Sequence, residues 1–195
     1  MENLLPLLGF AIATSVTPGP NVLMVAASSA AHGWRATLPH MFGITVGFGA
    51  MLVLVGLGLA GPLLASPVLH GVLRWVAVAW LLVLAWKIAT APPPGEGSPR
   101  ALLGFRGAAL FQWVNPKAWM IAAAVIPAFT LPGEAMLPQV LVIAAVFVAI
   151  SMPCLFVWAG IGTAAARLLR APGRLRAFNI VMAVLLVLSL VPTLR

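Results

Sequence analysis

Lys117 sits near the middle of an apolar stretch that runs from Gly107 to Phe129, directly after Asn115 and Pro116. A Lys in hydrocarbon costs about 2.5–3.5 kcal/mol on insertion scales, and a Pro removes a helical hydrogen bond. A chain keeps both where the site faces protein or a water-filled cavity rather than lipid. An ammonium held there can pair with a substrate carboxylate, hold the end of a broken helix, or relay a proton. The plainer alternative is a Lys that snorkels to an interface. The ten residues between Gly107 and Lys117 argue against it, because they correspond to about 15 Å of helical rise. Gln112, five residues earlier, adds an amide to the same stretch.

The segment Thr17-Pro18-Gly19-Pro20-Asn21 reads as a second site. Pro18 and Pro20 have no N–H, and each pushes the preceding residue away from helix. The helix is expected to break and to restart near Pro20 and Asn21. A restarted helix offers free N–H groups and the positive end of its dipole, where a carboxylate binds. Asn21 adds a side-chain amide. A lone Pro would read as a packing kink; Pro-Gly-Pro-Asn reads as a binding segment. The candidate substrate-binding residues are therefore Pro18, Gly19, Pro20, Asn21, Gln112, Asn115, Pro116 and Lys117. Lys117 and His40 are the candidate proton or charge relays, since His titrates near neutral pH. His40 opens a span beside Pro39, a place where a His is more often simply an interfacial residue. Arg74 reads as an interfacial anchor rather than a pathway residue.

Other chemistry is absent. Gly56-Leu57-Gly58-Leu59-Ala60-Gly61 matches the dinucleotide fingerprint by letter, but lacks the preceding strand and a later acid. There is no ATPase phosphate loop, nucleophile elbow or zinc-protease motif. Cys154 is the single cysteine and reads as a small core residue. No metal, cofactor or enzymatic activity is expected.

These residues need a membrane scaffold to position them. The chain is 63% hydrophobic and 7% charged, against about 25% charged in soluble domains. It has no Asp, and its acids are Glu2, Glu96 and Glu134. The net charge of +8 is spread over short loops between apolar runs, which fits anionic lipid better than nucleic acid. The N-terminus lacks a basic region, so a cleaved signal peptide is not expected. A span takes about 20 apolar residues. Six candidates run from Leu4 to Ala31, Leu38 to Leu63, Val68 to Thr90, Gly107 to Phe129, Met136 to Thr163 and Ala177 to Leu194. Trp34, Trp75, Trp86 and Trp158 suit an interfacial aromatic belt. Gly43 and Gly47 suit close helix packing.

The two halves correspond. Pro18 follows Thr17 as Pro116 follows Asn115; Leu38-Pro39 matches Leu137-Pro138; Gly71-Val72-Leu73-Arg74 matches Gly173-Arg174-Leu175-Arg176. The offsets are 98, 99 and 102 residues. Three spans per half is an odd number, so the second half must cross in the opposite sense. The expected fold is an all-α membrane protein, one transporter domain over residues 1–195. It comprises two inverted three-helix repeats, 1–90 and 107–195, joined by a Pro-rich linker at 91–106. Helices one and four are interrupted, as in secondary transporters that bind substrate near the midplane.

Taken together, Thr17-Pro18-Gly19-Pro20-Asn21, His32-Gly33-Trp34-Arg35, Gly43, Gly47 and Asn115-Pro116-Lys117 resemble the LysE family of amino-acid exporters, in its threonine/homoserine-efflux branch. The resemblance covers essentially the whole chain. It implies a bacterial inner-membrane exporter of amino acids or derivatives, driven by the proton gradient. Thr37 departs from the small Gly expected there, which leaves the packing of span two open. Ala85-Trp86-Lys87-Ile88-Ala89-Thr90 and Phe111-Gln112-Trp113-Val114-Asn115 look like the cysteine/O-acetylserine exporters of the same family. A dibasic substrate would want a carboxylate partner in the membrane, and none is available, so neutral substrates are favoured. The implied partners are the amino acid, protons and the bilayer, with no nucleic acid; a homo-oligomer stays open. The rival reading is a passive channel or a membrane subunit of a larger complex.

Loop charges set the orientation. Arg35, Lys87, Arg100, Arg106, Arg167, Arg170, Arg174 and Arg176 fall on one side, against Arg74 and Arg195 on the other. Basic loops stay cytoplasmic, so both termini should be periplasmic. A reporter fused after Arg195 should then be active only in the periplasm. Cytoplasmic activity of that fusion would mean five spans or an inverted insertion.

Overall fold

A computed structural model describes residues 4–58, 66–91, 102–169 and 172–191. Among these residues all regular structure is helical: α1 (Leu4–Val16), α2 (Pro20–His32), α3 (Trp34–Gly56), α4 (Pro67–Ala89), α5 (Phe105–Phe111), a 3-10 turn (Gln112–Val114), α6 (Pro116–Phe129), α7 (Met136–Leu168) and α8 (Pro172–Leu188). The linker at Ala91 to Pro99 lies almost wholly outside the described residues.

Both expected interruptions are present. α1 and α2 meet at an angle of 52° across Thr17–Gly19. Pro20 takes the first helical position of α2, where its missing N–H costs nothing. In the second half α5 tightens into the 3-10 turn, and Asn115 is extended before Pro116 restarts the chain as α6. The α2–α3 turn is a single residue, Gly33, whose φ of 81° suits glycine. Arg35 then stacks over the Trp34 ring at 5.3 Å.

Span boundaries shift from the sequence expectation. α3 begins at Trp34 rather than Leu38, and runs through Pro39. α7 continues past Thr163 to Leu168, since Ala164-Ala165-Ala166 favours helix and Arg167 suits its negative end. At 33 residues α7 is about 50 Å long, longer than the hydrocarbon core of about 30 Å. Among the described residues, three stretches are long and apolar enough to cross a bilayer alone: α3, Gly71–Ala89 of α4, and α7. α1 and α2 pass that test only together. α6 has 14 residues and α8 has 17, each shorter than a full span.

Large apolar side chains cover the outer surface. Trp75 is 64% exposed, Trp86 71%, Leu110 70% and Val68 77%. An apolar exterior with so few charges places the chain in lipid. Two apolar clusters lie within. One joins α2, α3, α4, α7 and α8 through Leu23, Met24, Met41, Leu84, Leu155 and Leu186. The other joins α1, α3, α6 and α7, where Phe147 packs edge-on against Phe48 at 5.4 Å and Phe10 at 6.4 Å. Cys154 is half-buried, on the flank of α7 rather than in either core.

Small residues set the helix spacing. A Cβ at Gly47 would come within 2.5 Å of the Ala109 Cα, and one at Gly43 would strike the Phe105 carbonyl, so α3 lies tight against α5. Gly162 on α7 abuts the backbone of Ala26 on α2 in the same way. Thr37 is fully buried, and its hydroxyl donates to the Gly33 carbonyl and the Ser28 Oγ, tying α3 to α2. Gly162→Val should overpack the α2–α7 contact and cost about 1–3 kcal/mol. Gly160→Val, on the same helix with open space around it, should be nearly neutral. Thermal unfolding of the two variants in detergent measures the difference.

Candidate functional site

The two interruptions lie side by side and bond to each other. The Asn21 Nδ2 donates to the Gln112 Oε1 at 2.9 Å, and the Gln112 Nε2 donates back to the Asn21 Oδ1 at 3.2 Å. Gln112 Nε2 also donates to the Ala108 carbonyl, and Gln112 is fully buried. Lys117 reaches across to the first break, where its Nζ donates to the Thr17 carbonyl at 2.6 Å. Its stem lies over Gly19, where a Cβ would meet the Lys117 Cδ at 2.7 Å. A side chain at position 19 would therefore displace the ammonium.

The breaks differ in what they leave open. At the second, Asn115 caps α6: its Oδ1 accepts from the Lys117 N–H, and its carbonyl accepts from the N–H groups of Ala118 and Trp119. Pro116 has no N–H to satisfy. The start of α6 is closed. At the first break Gly19 occupies the cap and supplies no side chain. Leu23 N–H bonds to the Gly19 carbonyl, but among the described residues no acceptor meets the N–H of Gly19, Asn21 or Val22. The carbonyl end of α1 is half closed. Val16 accepts from the Trp158 indole at 3.1 Å and Thr17 from Lys117. Among the described residues the carbonyls of Thr14 and Ser15 have no donor, because Pro18 lacks one and the Gly19 N–H does not reach back.

Gly19, Asn21, Val22, Thr14 and Ser15 all line one cavity, of about 480 Å³ counted out to its open mouth. Gln112, Asn115 and Lys117 also line it, and Ile44, Phe48, Ala118, Ile121, Ser151 and Leu155 complete the wall. It lies at the seam between the two apolar clusters. The charge pattern suits a zwitterion. Open amides at the positive end of α2 and the Lys117 ammonium favour a carboxylate, while open carbonyls at the negative end of α1 favour an ammonium. No Asp or Glu lines the cavity.

Residues 12–189 match the family described as LysE type translocator. The chain belongs to the LysE family. It is 31% identical over 179 residues to the cysteine/O-acetylserine efflux proteins of Escherichia coli (strain K12) and Salmonella typhimurium (strain LT2), covering 91% of this chain and 90% of each relative. The same figures hold for the protein of that name from Salmonella choleraesuis. No solved structure matches the chain. The chain is thus a membrane-embedded member of a family of amino-acid exporters, in accord with its apolar surface.

Of the residues singled out from sequence, Gly19, Asn21, Gln112, Asn115 and Lys117 reach the cavity. Pro18, Pro20 and Pro116 are not on its wall; they act by withholding N–H groups. The Asn21 amide is engaged with Gln112 and joins the two breaks. His40 is not at a helix end: it lies inside α3, fully buried, off the cavity wall and with both ring nitrogens unpartnered. Arg74 is half-buried away from the cavity, and its Nε has no partner. Trp158, read as a belt residue, instead caps the α1 carbonyl end. Thr14, Ser15 and Ser151 escaped the sequence reading. For Thr14 a signal existed, since Pro18 lies four residues later and leaves its carbonyl unbonded.

The reciprocal amide pair should couple the two breaks energetically. Asn21→Ala removes both bonds to Asn21 from the buried Gln112 amide, which keeps its bond to the Ala108 carbonyl; Gln112→Ala leaves the Asn21 amide unpaired, and the double variant removes both amides. Thermal unfolding in detergent should give a coupling of about 1 kcal/mol, within the usual range for contacting residues. Additive losses would mean that the pair does not bridge the breaks.

Proposed function

We propose that this protein is a secondary transporter that exports small neutral amino acids or their derivatives from the bacterial cytoplasm across the inner membrane, by proton antiport. Cysteine- and O-acetylserine-like substrates fit best, given what the relatives' names say they export. The observation that carries the reading is the first break. Residues whose amides or carbonyls are unpaired among the described residues line one cavity with Lys117, and no acid lines it. The substrate carboxylate sits at the start of α2 with Lys117, and its ammonium sits on the Thr14 and Ser15 carbonyls. This accounts for a neutral zwitterion without a carboxylate partner, and disfavours a dibasic one.

In this reading the whole chain is one transporter domain of six spans in two inverted repeats, with both termini periplasmic. The broken pair, α3 and α4 form the first repeat; the second broken element, α7 and α8 form the other. Lys117 is the central switch. With the site empty it holds the Thr17 carbonyl, and with substrate present it turns to the carboxylate or passes a proton. Buried, unpartnered His40 is the second candidate relay.

Lys117→Met separates this reading from a packing role. Met is close in length and removes a charge from the bilayer interior, so insertion should ease by about 3 kcal/mol. Export of cysteine and O-acetylserine from proteoliposomes should nevertheless fall about 10–100-fold, the worth of a charge-assisted hydrogen bond. Wild-type protein should show counterflow, which a channel would not. Full export by Lys117→Met at matched membrane abundance would sink the proposal. Lys117→Arg keeps the charge but does not readily give up a proton. Activity near wild type in that variant supports charge pairing, and its loss supports proton transfer.

A further inference from the structure

We infer that Ser151 selects among substrates by hydrogen-bonding a polar atom of the substrate side chain, so that the site prefers hydroxyl- and ester-bearing amino acids to alkyl ones. This rests on the cavity being the amino-acid site. Ser151 lies in the middle of α7, is 8% exposed, and lines the cavity. Its hydroxyl has no hydrogen-bond partner among the described residues. Inside helices the hydroxyls of Thr14, Thr37 and Thr45 return to the carbonyl four residues earlier, whereas that of Ser29 is, like that of Ser151, without a partner among the described residues but lies off the cavity wall. Ser151 does not use the Phe147 carbonyl, and its oxygen is left for whatever enters the cavity.

The surroundings give that oxygen its discriminating power. Away from the two breaks, the wall consists of Ile44, Phe48, Ala118, Ile121 and Leu155, all apolar, and Ser151. With the carboxylate and ammonium held at the first break, the substrate side chain is left to this apolar part. A hydroxyl can donate to an ester carbonyl and can accept from a hydroxyl. An alkyl side chain of the same size would strand the Ser151 hydroxyl against it, and a site built around a polar atom rejects the analogue that lacks one.

Homoserine and norvaline are nearly isosteric and differ in that polar atom. In proteoliposomes loaded with labelled O-acetylserine, each is added as a competitor of efflux. Wild type should bind homoserine about tenfold better than norvaline, the effect of one net neutral hydrogen bond. Ser151→Ala should bring the two within about threefold by weakening homoserine while norvaline holds or improves. Ser151→Cys, a similar size with a weaker donor, should fall between, and it carries the test should the Ala variant be lost from the membrane. An equal loss for both competitors would show a structural role and overturn the inference, as would an unchanged ratio. Lys117→Met in the same assay separates the two readings. If it abolishes efflux while Ser151→Ala leaves the ratio unchanged, the cavity is the site and Ser151 does not read the side chain. If Lys117→Met exports normally, the site reading itself fails.

Discussion

Backbone amides and carbonyls have no water to bond with in hydrocarbon, so each must find a partner in the protein or a polar cavity. A broken helix inside a membrane is therefore a demand on everything around it. Here the demand is met unevenly. Two carbonyls at the end of α1 are bonded by side chains from distant parts of the chain, Trp158 on α7 and Lys117 on α6. Two more carbonyls, of Thr14 and Ser15, and three amides, of Gly19, Asn21 and Val22, have no partner among the described residues, and all five residues line the cavity. The long-range bonds hold the break open in one geometry, and the unbonded groups give it a chemistry.

Each half opens on an interrupted helix, yet the two interruptions differ in what they leave open. An asparagine cap and a proline close the start of α6, which makes it a rigid mount for Lys117. A glycine cap leaves the start of α2 open and allows the Lys117 stem to lie across it. In the proposed reading one break supplies the binding groups and the other supplies the mobile charge. The Asn21–Gln112 amide pair keeps them in register.

Such a site needs close, stable packing of helices that share little polar surface. Lipid gives no hydrophobic drive for helices to associate, so close contact between small residues carries more of the load. Gly43 and Gly47 bring α3 onto α5, and Gly162 brings α7 onto α2. These contacts place both interruptions beside α7, the longest helix, whose Ser151 and Leu155 complete the cavity wall.

The sequence by itself determined the membrane class, the positions of both interruptions and the placement of Lys117 at the second of them. Each follows from local chemistry: apolar runs, prolines without N–H groups, and a charge that lipid will not accept. It also determined that no acid lies within an apolar run. What only the tertiary structure decided is which orphaned groups stay free. Nothing local says that Trp158 crosses to the Val16 carbonyl, that Lys117 takes Thr17, or that Asn21 engages Gln112 across 91 positions of chain. Nor does local sequence tell Ser151 from any other hydroxyl in an apolar helix, because its free oxygen depends on which face of α7 meets the cavity. His40 shows the converse: its Pro39 neighbour suggested a helix end, but α3 starts a turn and a half earlier and buries the ring. Proline and charge act within a few residues of their own position, whereas satisfaction of a hydrogen bond is settled by whichever group the fold brings within reach.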